Sequence, residues 1–254
     1  IEVNKDRLLN AVIKAERVTG KNSSLPVLSC VVLETKDNVL KVKATNLDLA
    51  LELEINAKVE KPGSLAVPGS LLSSYLSSLG KNDNILYINV QNNNLYISSK
   101  NSETVIKTVN HEDFPEISKS KKLNTFTIKP KDLISGFQSV WYSASVSNIK
   151  PELSSVYVYL ESGHLFFVST DSFRLAEKKI KVNIESFNDV LVPQRNVLEI
   201  MRILEGYDEK IKLSFDEDKV SFNIEDKIYL VTRVVDGNFP DYKQIIPKEN
   251  KTVL

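Results

Sequence analysis

Apolar positions along the chain change their period in a fixed order. Leu8, Leu9, Val12, Ile13 and Val18 recur at three- and four-residue steps, the stripe of an amphipathic helix. "VLKVKATNL" and "LALELEINAKV" then alternate apolar with polar, as strands of a sheet with one wet face do. Leu72, Tyr75, Leu76 and Leu79 restore the helical period behind Val67-Pro68. Pro68 falls at a helix start, where its missing N–H costs least. "ILYINV", "LYISSK" and "TVIKTV" return to alternation. The whole order then recurs. Leu133, Ile134, Phe137, Val140 and Trp141 lead into "VYVYL", "HLFFVST" and "RLAEKKIKVNI". Val197, Ile200, Met201 and Leu204 lead into "IKLSF", "KVSFNI" and "KIYLVTRVV". The spacings predict helices over 5–21, 70–81, 129–150 and 194–202. Each half is an α+β module, antiparallel sheets with two helices packed on one side.

The recurrence has a fixed offset. Phe114-Pro115 and Phe239-Pro240 are 125 residues apart, as are Val67-Pro68 and Val192-Pro193, and Thr45-Asn46 and Thr170-Asp171. Lys5-Asp6 and Lys131-Asp132 are offset by 126, one inserted residue more. The chain is therefore a unit of about 125 residues written twice. The boundaries implied are 1–122 for the first domain, 123–247 for the second and 248–254 for the opening of a third, because Thr252-Val253-Leu254 follows Thr127-Ile128-Lys129 at the same offset. The chain opens at Ile1 without a starting Met. Further residues are expected before it, and a third unit after it.

Net charge is zero over 254 residues, so only the distribution of charge can speak about partners. The four predicted helices together carry +7, which leaves −7 for the rest. If they share one face, that face attracts a phosphate backbone while the sheet face repels it. No element has the form of a base reader, so such contact would not depend on sequence. A single cysteine, Cys30, rules out an internal disulfide and fits a reducing compartment. No apolar run reaches the ~20 residues of a membrane helix and no leader pattern opens the chain, so a cytoplasmic protein without a membrane partner is expected.

Enzyme chemistry finds little footing. His111 and His164 are the only histidines, neither has metal-ligand spacing, and Cys30 is remote from both in sequence. The eight glycines form no phosphate-cradling loop and no G-x-S-x-G elbow is present. No catalytic residue, metal site or cofactor is expected.

"SLPVLSCVVLE", "ATNLDLAL", "STDSFRLA", "VLVPQRNVLEIMRIL" and "VVDGNFPDYKQIIP" together resemble the bacterial DNA polymerase III sliding clamp, or beta subunit, family, in that family's order and along the whole chain. The resemblance implies tandem repeated clamp domains (the DNA clamp fold), three per subunit, with helices lining a hole and sheets forming the outer wall. Two subunits would close head to tail around duplex DNA, a non-catalytic ring that tethers a polymerase by enclosure and so raises its effective concentration at the primer end. The implied partners are double-stranded DNA without sequence preference, the DNA polymerase III alpha subunit, the clamp loader and other proteins carrying a clamp-binding motif. Full-length subunits would form a homodimer, and the chain as given, without a third unit, a monomer.

Candidates for weak DNA contact are Lys14, Arg17, Lys21, Lys150, Arg195 and Arg202, with Lys21-Asn22 standing where relatives often carry an arginine. The family's partner cleft maps onto Leu153, Thr170, Ser172, Phe173, Arg174, Leu175, Pro240 and Ile245. Leu153, Leu175, Pro240 and Ile245 would wall an apolar pocket for an extended peptide, with Thr170 and Arg174 at its rim. Ser172-Phe173 departs from the Gly-His common in relatives. Leu175 and Ile245 could equally be domain core. Two rival readings stand beside the clamp: a repeat-built adaptor that binds peptides without encircling DNA, and a hydrolase whose site the motifs do not display.

Overall fold

The computed structural model describes residues 1–20, 25–80, 82–119, 124–184, 186–216 and 218–246. The first unit runs β1 (Glu2–Asn4), α1 (Lys5–Val18), β2 (Cys30–Lys36), β3 (Val39–Thr45), β4 (Leu49–Lys58), β5 (Gly63–Pro68), α2 (Gly69–Ser78), β6 (Ile85–Gln91), β7 (Asn94–Ser98) and β8 (Glu103–Lys107). The second runs β9 (Asn124–Ile128), α3 (Pro130–Gln138), β10 (Ser155–Glu161), β11 (His164–Thr170), β12 (Leu175–Lys181), β13 (Val190–Pro193), α4 (Gln194–Leu204), β14 (Ile211–Asp216), β15 (Lys219–Ile224) and β16 (Ile228–Arg233). The two orders are the same element for element. β2, which the alternation did not single out, is the counterpart of β10. β5 and β13 are likewise strands that run straight into the helices after Val67-Pro68 and Val192-Pro193.

The units are joined through their sheets. One edge of β4 is held by β3 from Ala50 to Asn56. The other edge is shared, its first half by β16 of the second unit and its end by β1 of its own. Leu49, Leu51 and Leu53 of β4 pair with Thr232, Leu230 and Ile228, and all six side chains are buried. A continuous run β8-β7-β6-β1-β4-β16-β15-β14-β9 results, with β12-β11-β10-β13 as a separate sheet. Two polar contacts bolt the same seam. Buried Asn196 on α4 donates to Thr232 Oγ1 at 2.9 Å within its own unit and to Asp48 O of the first unit at 3.5 Å, and Lys14 on α1 donates to the Tyr207 hydroxyl at 2.7 Å with its ammonium 4.3 Å from that ring's centre. Burial holds the Lys14 pKa below the ordinary lysine value, against an opposing pull from Glu225.

The helices form one row, α2–α1–α4–α3, each packed on the next. α1 starts at Asn4, whose side chain caps Arg7 N–H, and buries Leu8, Val12 and Ala15 against Val31, Val42 and Leu51. Three helices end within a few residues of the predicted limits; the third does not. The stretch 129–150 holds only α3 and a short 3₁₀ turn at Trp141–Ser143. Ser139 turns its hydroxyl back onto Ser135 O at 2.8 Å, Val140 leaves the helical region with φ −129°, and its carbonyl is taken by buried Ser169. Lys150 therefore stands in a loop. Lys129 is the residue before α3, and Lys81 lies outside the described residues. The helices as formed carry Lys5, Arg7, Lys14, Arg17, Lys131, Arg195 and Arg202 against Asp6, Glu16, Asp132 and Glu199, a net of +3 where the predicted spans gave +7.

One close approach fixes the seating of α3. A Cβ built at Gly136 would stand 2.6 Å from Phe167 Cδ2 and Cζ, and Phe167 is fully buried edge-on against Phe137. Helix propensity alone would favour alanine there by about 1 kcal/mol. Here overpacking reverses the sign. Gly136→Ala is expected to lose about 2 kcal/mol of unfolding free energy, seen as a lower urea midpoint with unchanged slope. A midpoint at or above the parent value would refute the assignment.

The outer face of the separate sheet is closed by the segment after β16. Phe239 stacks on Tyr157 at 4.9 Å, and Tyr157 on Tyr159 at 5.1 Å. The buried Tyr242 hydroxyl donates to Glu177 at 2.5 Å and meets the Tyr159 hydroxyl at 2.6 Å. Burial raises the Tyr242 and Tyr157 pKa values well above the usual tyrosine range, helped by the carboxylates of Glu177 and Asp189. A phenol with a raised folded-state pKa contributes stability that is complete below about pH 10 and falls away above it, because the unfolded chain then releases the proton first. Unfolding free energy should therefore decline from about pH 10 upward. Tyr242→Phe should flatten that decline and cost ~1 kcal/mol at pH 7. Identical alkaline slopes for parent and variant would show that this phenol is not responsible.

Candidate DNA-facing wall and partner cleft

α1 exposes Asp6, Arg7, Asn10, Ile13 and Arg17 along one side, the helical spacing that puts them on a single face. Where α1 meets α4, an open groove of about 520 Å³ is lined by residues of both units, among them Leu9, Ile13, Lys14 and Arg17 from the first and Arg202 and Glu205 from the second. Arg17 and Arg202, 185 positions apart in the chain, thus face the same space. Arg202 is paired with Glu199 at 2.5 Å. Among the described residues Arg17, Lys150 and Arg195 form no ion pair. Lys150 lies off the helices, yet its loop is tied to the head of α4: Gln194 N–H donates to Ser154 O at 3.0 Å and Gln194 Nε2 to Trp141 O at 2.9 Å, one residue before Arg195. Lys14 spends its ammonium on Tyr207, a partner that no spacing in the sequence announces. Lys21 lies outside the described residues.

The second set of residues gathers around the turn from β11 to β12. Buried Thr170 donates through Oγ1 to Arg174 O at 2.8 Å and accepts from Ser172 N–H at 3.1 Å. Asp171 Oδ1 accepts from the N–H groups of Phe173 and Arg174, both at 3.0 Å, and Oδ2 accepts from Arg174 Nε at 3.0 Å. The two backbone bonds and then the guanidinium hold the Asp171 carboxyl below the usual carboxylate range. This turn forces Ser172 to φ +76°, the left-handed region where glycine is at ease. The chain meets this backbone demand with serine. Phe173, next to it, is 98% exposed.

The remaining candidates lie on the segments before β10 and after β16. Gly237 stands beside Glu152 and Leu191, which brings the segment carrying Pro240 and Ile245 past the Leu153 turn before Tyr242 anchors on β12 at Glu177. Leu153 is buried, Leu175 half-buried, Pro240 exposed, and Ile245 69% exposed. Neither Leu175 nor Ile245 is core. The anchoring trio Tyr159, Glu177 and Tyr242 has no motif, only the alternation that sends Tyr159 and Glu177 to one face.

No helix among the described residues is long and apolar enough to cross a membrane, and among them no three His, Cys, Asp or Glu side chains are grouped to hold a metal ion. His164 bonds the Ser162 carbonyl at 3.0 Å.

Comparison with known proteins bears on the family and the fold. The family model described as the N-terminal domain of the DNA polymerase III beta subunit matches residues 1–118, and the one described as its central domain matches residues 127–241. The beta sliding clamp of Buchnera aphidicola is 28% identical over 253 residues, covering 98% of this chain and 68% of its own. That of Bacillus subtilis is 26% identical over 265 residues, covering 99% and 69%. The chain therefore spans about two thirds of the length of these relatives. The crystal structure of the beta subunit from Thermotoga maritima is 27% identical and superposes with a TM-score of 0.91 over 98% of this chain and 67% of that one. The sliding clamp of Pseudomonas aeruginosa, crystallised with griselimycin, shares the fold at 23% identity and a TM-score of 0.91, over 99% and 68%. With an N-terminal and a central clamp domain matched in order, the chain belongs to the DNA polymerase III beta subunit family, the sliding clamps of bacterial DNA replication.

Proposed function

We propose that this chain contributes two clamp domains, 1–122 and 123–247, to a ring that encircles duplex DNA and tethers the replicative polymerase, without chemistry of its own. The supporting observation is the asymmetry of the sheet edges. β4 pairs β16 across the unit junction. β12 is the copy of β4 at the 125-residue offset, yet among the described residues it pairs only with β11. β8 is the copy of β16 and pairs only with β7. The two free edges are of opposite kind, which is what a head-to-tail chain of units presents at its two ends. A third unit offering a β16-like strand would cover β12, and its own β4-like edge would meet β8 of a second subunit, closing a homodimer.

In this arrangement the helix row faces inward. Arg17, Arg195, Arg202 and Lys150, with Lys21 beyond the described residues, supply a diffuse positive wall, and the half-buried Lys14 holds the unit junction. Diffuse contacts suit sliding, since base-reading bonds would arrest it. The turn at Thr170–Leu175, with Leu153, Pro240 and Ile245, receives short apolar peptides from the DNA polymerase III alpha subunit, the clamp loader and other proteins carrying a clamp-binding motif. Enclosure keeps the partner near the primer end at high effective concentration.

The deciding measurement uses the full-length protein with its loader. The loaded ring is expected to remain on a closed DNA circle and to leave within minutes once the circle is cut. Equal retention on both would defeat topological tethering and leave the peptide adaptor. Reversing Arg17 and Arg202 together to Glu should weaken binding to short duplexes about tenfold and flatten its salt dependence. An unaltered salt slope would place the DNA elsewhere. Leu175→Glu puts a charge in the apolar cleft and should weaken binding of a polymerase-tail peptide by about tenfold or more. Unchanged calorimetric affinity would mean the cleft is misplaced.

A further inference from the structure

The two units treat one hollow of the repeat differently. In the second unit Phe126, Phe187 and Phe215 pack on one another, with ring centres 5.8 Å apart for Phe126 and Phe187, 5.5 Å for Phe126 and Phe215 and 4.5 Å for Phe187 and Phe215. Phe215 is buried and the other two are partly so. Their counterparts at the 125-residue offset are Ile1, Pro62 and Val90. The strand registers carry the same equivalence. Ile88 pairs Ile97 in the first unit as Leu213 pairs Phe222 in the second, and Ile1 N donates to Ile88 O at 2.7 Å where Phe126 pairs Leu213. Three benzyl groups are thus exchanged for three smaller aliphatic side chains. Such an exchange leaves a cavity unless the neighbours close in.

They do not close in. A pocket of about 390 Å³ stands among β2, β3, β5 and β6. Leu33, Leu40, Leu65 and Ile88 form its buried walls, with Ile1 beside them and Val90, 52% exposed, at the mouth. The counterparts of those walls, Val158, Leu165, Val190 and Leu213, are buried in the second unit. At the rim Thr35 Oγ1 donates to Gly63 O at 3.2 Å and accepts from Gly63 N–H at 2.9 Å. Glu60 and Lys61 stand there with opposite charges, so the rim favours neither sign, while Ser64 and Asn89 add two uncharged polar side chains. An apolar pocket of this size with a few polar groups at its edge is the form that small-ligand sites take. The second unit shows which group seats on this surface, a phenyl ring packed edge or face against others of its kind.

We infer that the first-unit pocket walled by Leu33, Leu40, Leu65 and Ile88, with Val90 at its mouth, is a binding site for a small uncharged molecule bearing one or two fused aromatic rings, seated where the second unit carries its own phenylalanines. The site is independent of ring closure and of the second-unit cleft.

The test takes the full-length protein, labelled with ¹³C at its Ile, Leu and Val methyl groups, and titrates it with 2-naphthol and, separately, with the peptide Gly-Phe-Gly. The expected result is a saturable shift of the Leu33, Leu40, Leu65 and Ile88 methyls by 2-naphthol, half complete below about 1 mM, and no shift of them by the peptide. Val90→Phe and Pro62→Phe each restore the residue of the second unit. Each should weaken 2-naphthol binding at least tenfold while keeping the parent thermal midpoint or raising it. The inference is overturned if these methyls do not move, if the shifts do not saturate, if the largest shifts fall elsewhere, or if both variants bind as the parent does. A stronger response to the peptide would mark a docking site for a protein and overturn it as well. Should the full-length chain carry a residue that fills the pocket, the methyls stay still and the inference fails. Because the methyl shifts are read on the parent, a variant that does not fold leaves the test intact.

Discussion

The interaction on which the rest depends is the split edge of β4. A strand edge normally offers all its hydrogen bonds to one neighbour. Here the first five residues, Leu49–Leu53, are given to β16 of the second unit and the last to β1 of the first. Buried leucines on both sides of the seam make the joint apolar as well as hydrogen-bonded. Two modules share one continuous ladder through this joint, and the helices behind it line up in a single row. Arg17 and Arg202 share a groove only because β4 and β16 share a ladder.

The same joint organises the polar chemistry. Lys41 and Glu52 lie on the β3–β4 face close to the seam, and Lys41 is held well above its ordinary pKa by the hydrogen bonds it donates to Glu54 and then Glu52. Lys14 and Tyr207 close the helical side, while Asn196 and Thr232 close the middle. Each contact joins residues that the repeat does not relate to one another. The repeat specifies the modules, and of these side chains only Lys14, through Tyr207, and Asn196, through the Asp48 carbonyl, reach from one module to the other.

Much of the fold was legible because its signals are local. Alternation located β3, β4, β6, β7 and β8 and their counterparts, and the recurring Val-Pro marked the entry to α2 and α4. What failed was α3. Leu133 to Trp141 keeps a helical period, but the serines at 139, 143, 145 and 147 offer the backbone other hydrogen bonds, and the tie from Ser169 to Val140 is tertiary. That error inflated the helical charge and put Lys150 on a helix. The site was legible as far as its motif reached. Thr170, Asp171 and Arg174 are bonded to one another within six residues. The left-handed geometry of Ser172 has no signature in a serine. Tyr207 and Tyr242 act through partners 193 and 65 residues away, and no local pattern could have named them.

The seam also has a consequence for the order in which the protein is made. Leu49 to Leu53 leave the ribosome about 175 residues ahead of the strand that will cover them. Throughout that interval the nascent first unit carries a leucine-rich ribbon with open backbone donors and acceptors, the feature through which chains adhere to one another. Translation beyond Arg233 removes the exposure, so a ribosome stalled between the two units would release a fragment prone to self-association.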